Sequence, residues 1–363
     1  MRRKSFNVAV YLLSIVFLLF FESGDLRSES AFEKWFKEHS VIKIDTAGLS
    51  VSGLREILVG PGGEIIFLTP KESCLFEFDS EGKFIKKIGR QGQGPGEFMT
   101  PIAFCFDKDG NLYIADSKTH RISILRPDNT LVSSFIYAAH HGYPSIMRVD
   151  SQQNIILEAL GLPPKGRSRG DWFHKYSAEG RSLGSFYEAS TDSDWIISMY
   201  PRFAFDLSDD IICAMQIHAY EISLFNTDGK LIRTISDIPD YWVKPDLRNR
   251  LNDRKYRSQS ELIELFTGLS KSWTRILKLN IIKGKLIVVM TAANGLVRGV
   301  EEPYLLDIWS IEGRKIATGI PSPYPLLCSD DKGYCYFLLD TTEETVLDED
   351  PKYTIGRFIC LVD

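Results

Sequence analysis

The chain has 363 residues, 44% of them hydrophobic and 12% aromatic, which is ample for a sizeable core and excludes a largely disordered polymer. Its formal net charge is -5, with both signs mixed along the chain and no basic tail, so composition gives a nucleic-acid partner no electrostatic support. Length alone allows two ordinary domains or one large all-β domain, and internal repeats have to decide between them.

Arg2, Arg3 and Lys4 precede an apolar run from Val8 to Phe21 and a polar segment ending Ser28-Glu29-Ser30-Ala31. A basic start, a short apolar stretch and small residues at the -3 and -1 positions describe a secretory signal peptide over residues 1–30, cleaved after Ser30. The apolar run falls short of the roughly 20 residues a spanning helix needs, so no membrane span is expected after cleavage; an uncleaved anchor is the alternative. No cysteine precedes Cys74 to carry a lipid anchor. The expected location is therefore periplasmic or extracellular. Cysteines 74, 105, 213, 328, 335 and 360 sit mostly in apolar runs without CxxC spacing and read as buried thiols. Cys328 and Cys335 flank a turn, which keeps one disulfide open in an exported protein.

Beyond the leader, a turn followed by an apolar run recurs six times. The turns are Pro61-Gly62-Gly63-Glu64, Asp109-Gly110-Asn111, Gln152-Gln153-Asn154, Ser208-Asp209-Asp210, Lys283-Gly284-Lys285 and Asp331-Lys332-Gly333. A second turn follows each of the first five, as in Ser80-Glu81-Gly82-Lys83 and Thr227-Asp228-Gly229-Lys230. Glycine, Asn and Asp tolerate the positive φ that hairpins demand, so each unit reads as two hairpins in series. The sixth unit lacks a fourth strand, and Val41 to Thr46 is the one strand-like segment left to supply it. The pattern predicts an all-β, six-bladed β-propeller over residues 31–363, its last blade closed by the N-terminal strand, which hides the edges of an open array.

The most legible unit runs from Gly89 to Phe135, with strands expected at Ile102–Phe106, Leu112–Ala115, Ile122–Leu125 and Leu131–Phe135. Its Gly-x-Gly-Pro-Gly-Glu-Phe-x-x-Pro entry, Asp-x-Asp-Gly-Asn-Leu-Tyr-Ile-Ala-Asp centre and closing His-Arg-Ile resemble an NHL repeat. The glycine-rich entry leads into a strand and lacks the Lys-Ser/Thr of a phosphate loop, so it reads as a connector between blades. Asp107 to Asn111 has its glycine and its twelfth residue, Lys118, wrong for a calcium loop and reads as a hairpin turn.

In a blade both tight turns lie on one side, and the strand 2–3 loops and blade connections on the other. Every long insertion falls on that second side, which makes it the candidate binding face. The largest, 241–272 between blades four and five, carries Ser258-x-x-Glu261 ahead of Leu262, Ile263, Leu265, Phe266 and Leu269, a capping box and apolar stripe that predict a helical insertion packed over the ring. Trp172, Tyr200, Tyr241 and Trp242 are loop aromatics fit either for a ligand or for covering the core.

Candidate binding residues are Arg90, Glu97, Asp116, His120, Arg121, Arg148, Arg202 and His218, which fall on connectors, strand 2–3 loops or first strands. Asp116 and Arg121 are expected to form an ion pair within their blade. Histidines 120, 140, 141, 174 and 218 are expected to approach the central channel, without a ligand spacing that specifies a metal. No catalytic residues are assigned, since there is no Gly-x-Ser-x-Gly elbow and no room for a hydrolase domain. The expected role is that of an exported, non-catalytic binder of a protein, peptide or glycan, as the resemblance to bacterial NHL-type propellers implies, with no cofactor predicted. The alternative is a lactonase-like or amidating-lyase-like enzyme with a divalent cation in the axial channel. First-strand neighbourhoods offer Arg55, Glu56, Glu97, Arg148, Arg202 and Arg275, richer in arginine than in metal ligands, and suggest an anionic ligand instead.

Overall fold

The computed structural model describes residues 30–46, 49, 51, 53–159, 170–188, 203–217, 219–244, 273–292, 302–342 and 352–362. In chain order, β1 (Phe36–Ile44) is followed by blade one, formed by β2 (Glu56–Val59), β3 (Ile65–Thr69), β4 (Cys74–Phe78) and β5 (Phe84–Ile88). Blade two holds β6 (Pro101–Phe106), β7 (Leu112–Asp116), β8 (Arg121–Leu125) and β9 (Leu131–Ile136), and blade three β10 (Ile146–Val149), β11 (Ile155–Glu158), β12 (Asp171–Tyr176) and β13 (Ser182–Glu188). Blade four comprises β14 (Phe203–Ser208), β15 (Ile211–Gln216), β16 (Ile222–Asn226) and β17 (Leu231–Ile235). Blade five follows with β18 (Arg275–Ile282), β19 (Leu286–Ala292), β20 (Tyr304–Ser310) and β21 (Lys315–Ser322), and β22 (Leu326–Ser329), β23 (Tyr334–Thr342) and β24 (Lys352–Cys360) begin blade six. Each blade is a four-stranded antiparallel sheet, and the sixth is completed in the order β1-β24-β23-β22.

Position in the blade explains the apolar patterning. Second strands face neighbouring blades on both sides and are buried throughout, as in β3, β7 and β11. Outer strands face a neighbour on one side and solvent on the other, so β9 alternates half-buried and exposed positions. The buried side chains consequently lie between blades, and the cluster containing Ile57, Ile66 and Phe76 of blade one also takes Phe104 of blade two and Cys328 and Tyr336 of blade six.

On the tight-turn face, eleven hairpin turns join first to second strands and third to fourth strands. Nine share one five-residue geometry, in which the first residue exchanges backbone hydrogen bonds with the fourth and fifth; Asp79 with Gly82 and Lys83, and Asn226 with Gly229 and Lys230, are examples. The fourth residue has positive φ in each: Gly63, Gly82, Gly110, Asn129, Gln153, Gly180, Gly229, Gly313 and Gly333. Where the first residue is Asp or Asn its side chain also takes the following N–H groups, as Asp107 does from Asp109 and Asn111 and Asp150 does from Gln152 and Asn154. The two remaining turns, through Asp209-Asp210 and Lys283-Gly284, have positive φ at both named residues; the first is a two-residue hairpin, with Ser208 opposite Ile211, and in the second Ile282 stands opposite Leu286.

Ring closure comes from β1 pairing antiparallel with β24, from Phe36 opposite Cys360 to Ile44 opposite Tyr353. The strand begins five residues before the expected Val41, because a register shift between Glu38 and Ser40 breaks the alternation that marks a strand in sequence. Ahead of it, Ser30 and Glu33 cap one another reciprocally, and Phe32 is set among Phe36, Tyr324, Phe337 and Phe358 at ring distances of 5.1–5.9 Å.

The six cysteines are all free. Cys328 stands opposite Tyr336, and Cys335 opposite Ser329, so the two thiols are one residue out of register and point to opposite faces of blade six. The disulfide left open by sequence is thereby excluded. The signal peptide, apart from Ser30, and the helical insertion, apart from residues 241–244, lie outside the described residues, among which there is no α-helix and none long and apolar enough to cross a membrane.

The second turn of a blade rests on the outer strand of the blade before it. A Cβ on Gly180 would stand 2.4 Å from the Phe135 ring and one on Gly229 2.5 Å from Phe186, whereas Gly96, with equally positive φ, has nothing within 4 Å. In chemical denaturation Gly180→Ala and Gly229→Ala are expected to lose about 2–3 kcal/mol each, through clash as well as strain, and Gly96→Ala only about 1 kcal/mol.

Candidate functional site

An axial cavity of about 500 Å³ opens on the tight-turn face. Among its lining residues each blade contributes one at an equivalent place on its first strand: Leu58, Cys105, Arg148, Asp206, Asn280 and Cys328. These six occupy one structural position, two residues ahead of the first residue of the first hairpin turn, where Gly60, Asp107, Asp150, Ser208, Ile282 and Asp330 stand. Strand alternation then turns each toward the axis.

Asp206 ties three blades together at this level. Its Oδ1 accepts from Arg148 Nε of blade three at 2.7 Å, and its Oδ2 accepts from the Ile281 N–H of blade five at 2.9 Å and from Asn280 Nδ2 at 3.5 Å. Arg148 also donates through Nη1 to the Met147 carbonyl. Near them, Lys278 meets Glu56 at 3.8 Å, and Arg55 Nε donates to the Ile102 carbonyl of blade two at 2.7 Å. The arginine of the channel is thus neutralised, and five aspartates against three basic side chains line the cavity, which removes the basis for an anionic ligand there. A divalent cation does not fit either: the ring offers one carboxylate, already held by Arg148.

Five of the sequence-chosen residues gather on the opposite, loop-rich face of blade two. Arg90 pairs with Glu97 at 2.8 Å, and the Gly94 N–H together with Arg90 holds the Glu97 carboxyl below its usual range. Asp116 makes no ion pair with Arg121. It accepts instead from four backbone N–H groups, those of Met99 and Thr100 on Oδ2 and of Lys118 and Thr119 on Oδ1, which locks the connector to the strand 2–3 loop. Arg121 Nη1 donates to the Gln93 carbonyl at 2.8 Å. His120, at φ +51, stacks on Tyr143 with centroids 5.8 Å apart. Arg148 stands apart from this group in the axial cavity; Arg202 and His218 lie outside the described residues.

The described histidines do not line the axial cavity. His141 and His174 stack face to face at 3.7 Å where the connection from blade two meets blade three. Tyr176 accepts from the Ala138 N–H and donates to His141 Nδ1 at 2.5 Å; His174 Nε2 donates to the Ala159 carbonyl, so its Nδ1 accepts from Ser185. Burial and the neighbouring imidazoles lower His141 to about 4 and His174 to about 3, so both are neutral at pH 7. Among the described residues no group of three or more His, Cys, Asp or Glu could hold a metal.

Asp307 is the most perturbed carboxyl, raised by burial to about 6, and accepts from Tyr220 and Tyr241 at 2.5 Å each and from the Gly319 N–H at 2.7 Å. With no solvent exposure it is closed to a substrate, and it pins the segment through Tyr241 onto blade five. Trp172 and Trp242 are likewise buried, against Phe203 and Tyr220, so these aromatics and Tyr241 cover the core; Tyr200 lies outside the described residues. In the axial wall, burial raises the Cys105 thiol and pushes Cys328 up to about 12, which keeps both protonated and unsuited to nucleophilic attack.

Residues 25–129 match the model of the family described as DUF5128, 6-bladed beta-propeller. The chain is similar to a solved protein of Bacteroides fragilis assigned as exported, with 13% identity, 93% of this chain and 97% of that chain covered, and a TM-score of 0.63. It is similar too to a DUF4221 family member from Bacteroides vulgatus, at 11% identity, 89% and 97% coverage and a TM-score of 0.62. A protein assigned as a gluconolactonase follows at 11% identity, 93% and 99% coverage and a TM-score of 0.50. No curated protein matches. Together these support a six-bladed propeller family, and at such identities the solved structures speak to fold alone.

The two buried networks titrate in opposite senses. Asp307 ionises near 3.8 unfolded and about 6 folded, so its contribution is fully present below about pH 4 and falls as pH rises toward 6, by up to about 3 kcal/mol. The lowered histidines lose stability as pH falls from about 6.5 toward 4. Denaturation of Asp307→Asn from pH 4 to pH 7 is expected to show its deficit against the parent shrinking as pH rises.

Proposed function

We propose that the chain is an exported, non-catalytic binding propeller that takes a protein, peptide or glycan on its loop-rich face, with blade two forming a fixed corner of the site. Tyr143 carries this reading: it is 70% exposed, yet held flat against His120. An aromatic ring presented to solvent on a rigid support offers large contact area at little entropic cost, which is what recognition surfaces use. The Asp116 network fixes the loop that carries His120, and Arg90, paired with Glu97, adds exposed charge on the same face of the blade. The NHL-like residues from Gly89 to Phe135 and the signal-like N-terminus support the same role, as does the assignment of a structural neighbour as exported. A lactonase-like activity would need divalent-cation ligands that the axial ring does not offer.

Peptide and glycan arrays probed with the purified exported chain test the reading. Tyr143→Ala is expected to reduce the signal of the selected ligand about tenfold while leaving the melting temperature unchanged. Equal binding by Tyr143→Ala would contradict it, and so would cation-dependent lactone hydrolysis by the parent protein.

A further inference from the structure

The tight-turn face, which carries no insertions, holds a second site. We infer that the axial cavity binds a small organic cation bearing a primary ammonium group, with Asn280 at its wall and Asp209 and Asp331 at its mouth.

Asn280 is the starting point. It is 2% exposed and lines the cavity, and its Oδ1 has no hydrogen-bond partner among the described residues. The amide orientation is fixed chemically: Nδ2 faces Asp206 Oδ2, and the flipped amide would set an oxygen against that carboxylate. What remains is a buried carbonyl oxygen that requires a donor, an arrangement costly to leave unmade.

The cavity agrees in sign, since five aspartates outnumber Lys108, Arg148 and Lys283 among its lining side chains. Asp107, Asp206 and Asp330 spend their carboxylates within the fold, on Asn111, on Arg148 and Ile281, and on Tyr334 and Tyr336 respectively. Asp209 and Asp331, exposed on the first turns of blades four and six, have no partner among the described residues. The Asp209 carboxylate lies over Gly284, whose lack of a side chain leaves it room, since a Cβ there would come within 1.9 Å of it. Lys108 and Lys283 stand at the same mouth, so it is the excess of carboxylates over basic groups in the whole cavity, with the orphaned acceptor inside, that selects a donor-rich cation. Leu58 and the protonated thiols of Cys105 and Cys328 supply the weakly polar wall that an alkyl chain would touch. The volume of about 500 Å³ is in the range of small-molecule sites.

Putrescine and succinate share a four-carbon backbone with opposite terminal charge, so calorimetric titration with both reads the sign of the site directly. Putrescine is expected to bind with an affinity that falls as salt rises, and succinate not to bind. Asn280→Leu should weaken putrescine about tenfold, because the buried acceptor is lost. Asn280→Ser keeps an oxygen that can donate to Asp206 and still accept, and should weaken putrescine less than the leucine variant; it serves where that variant does not fold. Asp209→Asn with Asp331→Asn should weaken binding severalfold and flatten the salt dependence. Tyr143→Ala should leave putrescine binding unchanged, which separates this site from the loop-rich face. Absence of putrescine binding, preference for succinate, or binding indifferent to both Asn280 and the aspartate pair would overturn the inference.

Discussion

The ring depends on the pairing of its two chain ends. β1 lies against β24 from Phe36 to Ile44, and without it the sixth blade would present an open strand edge. The same pairing brings Ile42 and Ile44 into the core shared by blades one, two and six. Closure therefore satisfies backbone hydrogen bonds and completes an inter-blade interface at once. Phe32 extends the latch by filling a pocket of four aromatic rings, so the leading segment is held by packing as well as by strand pairing.

Within the ring, spacing is set by the turns. Nine hairpins bend through a fourth residue of positive φ, and the chemistry of that position leaves a mark in sequence, because glycine and asparagine adopt it at least cost. This is why six units and their strand order were legible in the residues alone. The strand expected at Ile102–Phe106 runs from Pro101, and that expected at Leu131–Phe135 ends at Ile136. The closing strand was legible in existence but not in extent, since Phe36 to Ser40 carries a bulge and no alternation. The Cys328–Cys335 idea failed on a register offset of one residue, which depends on pairing between strands and leaves no mark in either strand alone.

The candidate sites were legible in part. The residues chosen on blade two do come together, but through backbone hydrogen bonds: Asp116 has its carboxylate filled by four N–H groups, a role no side-chain pairing rule would find. In the channel, Arg148 was recognisable as a first-strand residue, whereas Leu58, Cys105, Asp206, Asn280 and Cys328 were not. The candidate residues fell mostly on the loop-rich side, and the cavity opens at the other end of the first strands. A constant offset of two residues before each first turn would have found all six.

The two faces thus divide the chemistry. One offers an exposed aromatic on a braced loop, the other an acidic mouth over an orphaned acceptor, and both positions are defined by where a closed ring sets its blades. Closure by β1 is accordingly the claim on which the rest stands, and native-state hydrogen exchange tests it most directly. The account predicts that the paired amides of β1 and β24 exchange with the same free energy as those of β7 and β19, through global unfolding. Fast exchange along β1 while the other blades stay protected would contradict it, showing a strap laid against a ring that stands without it.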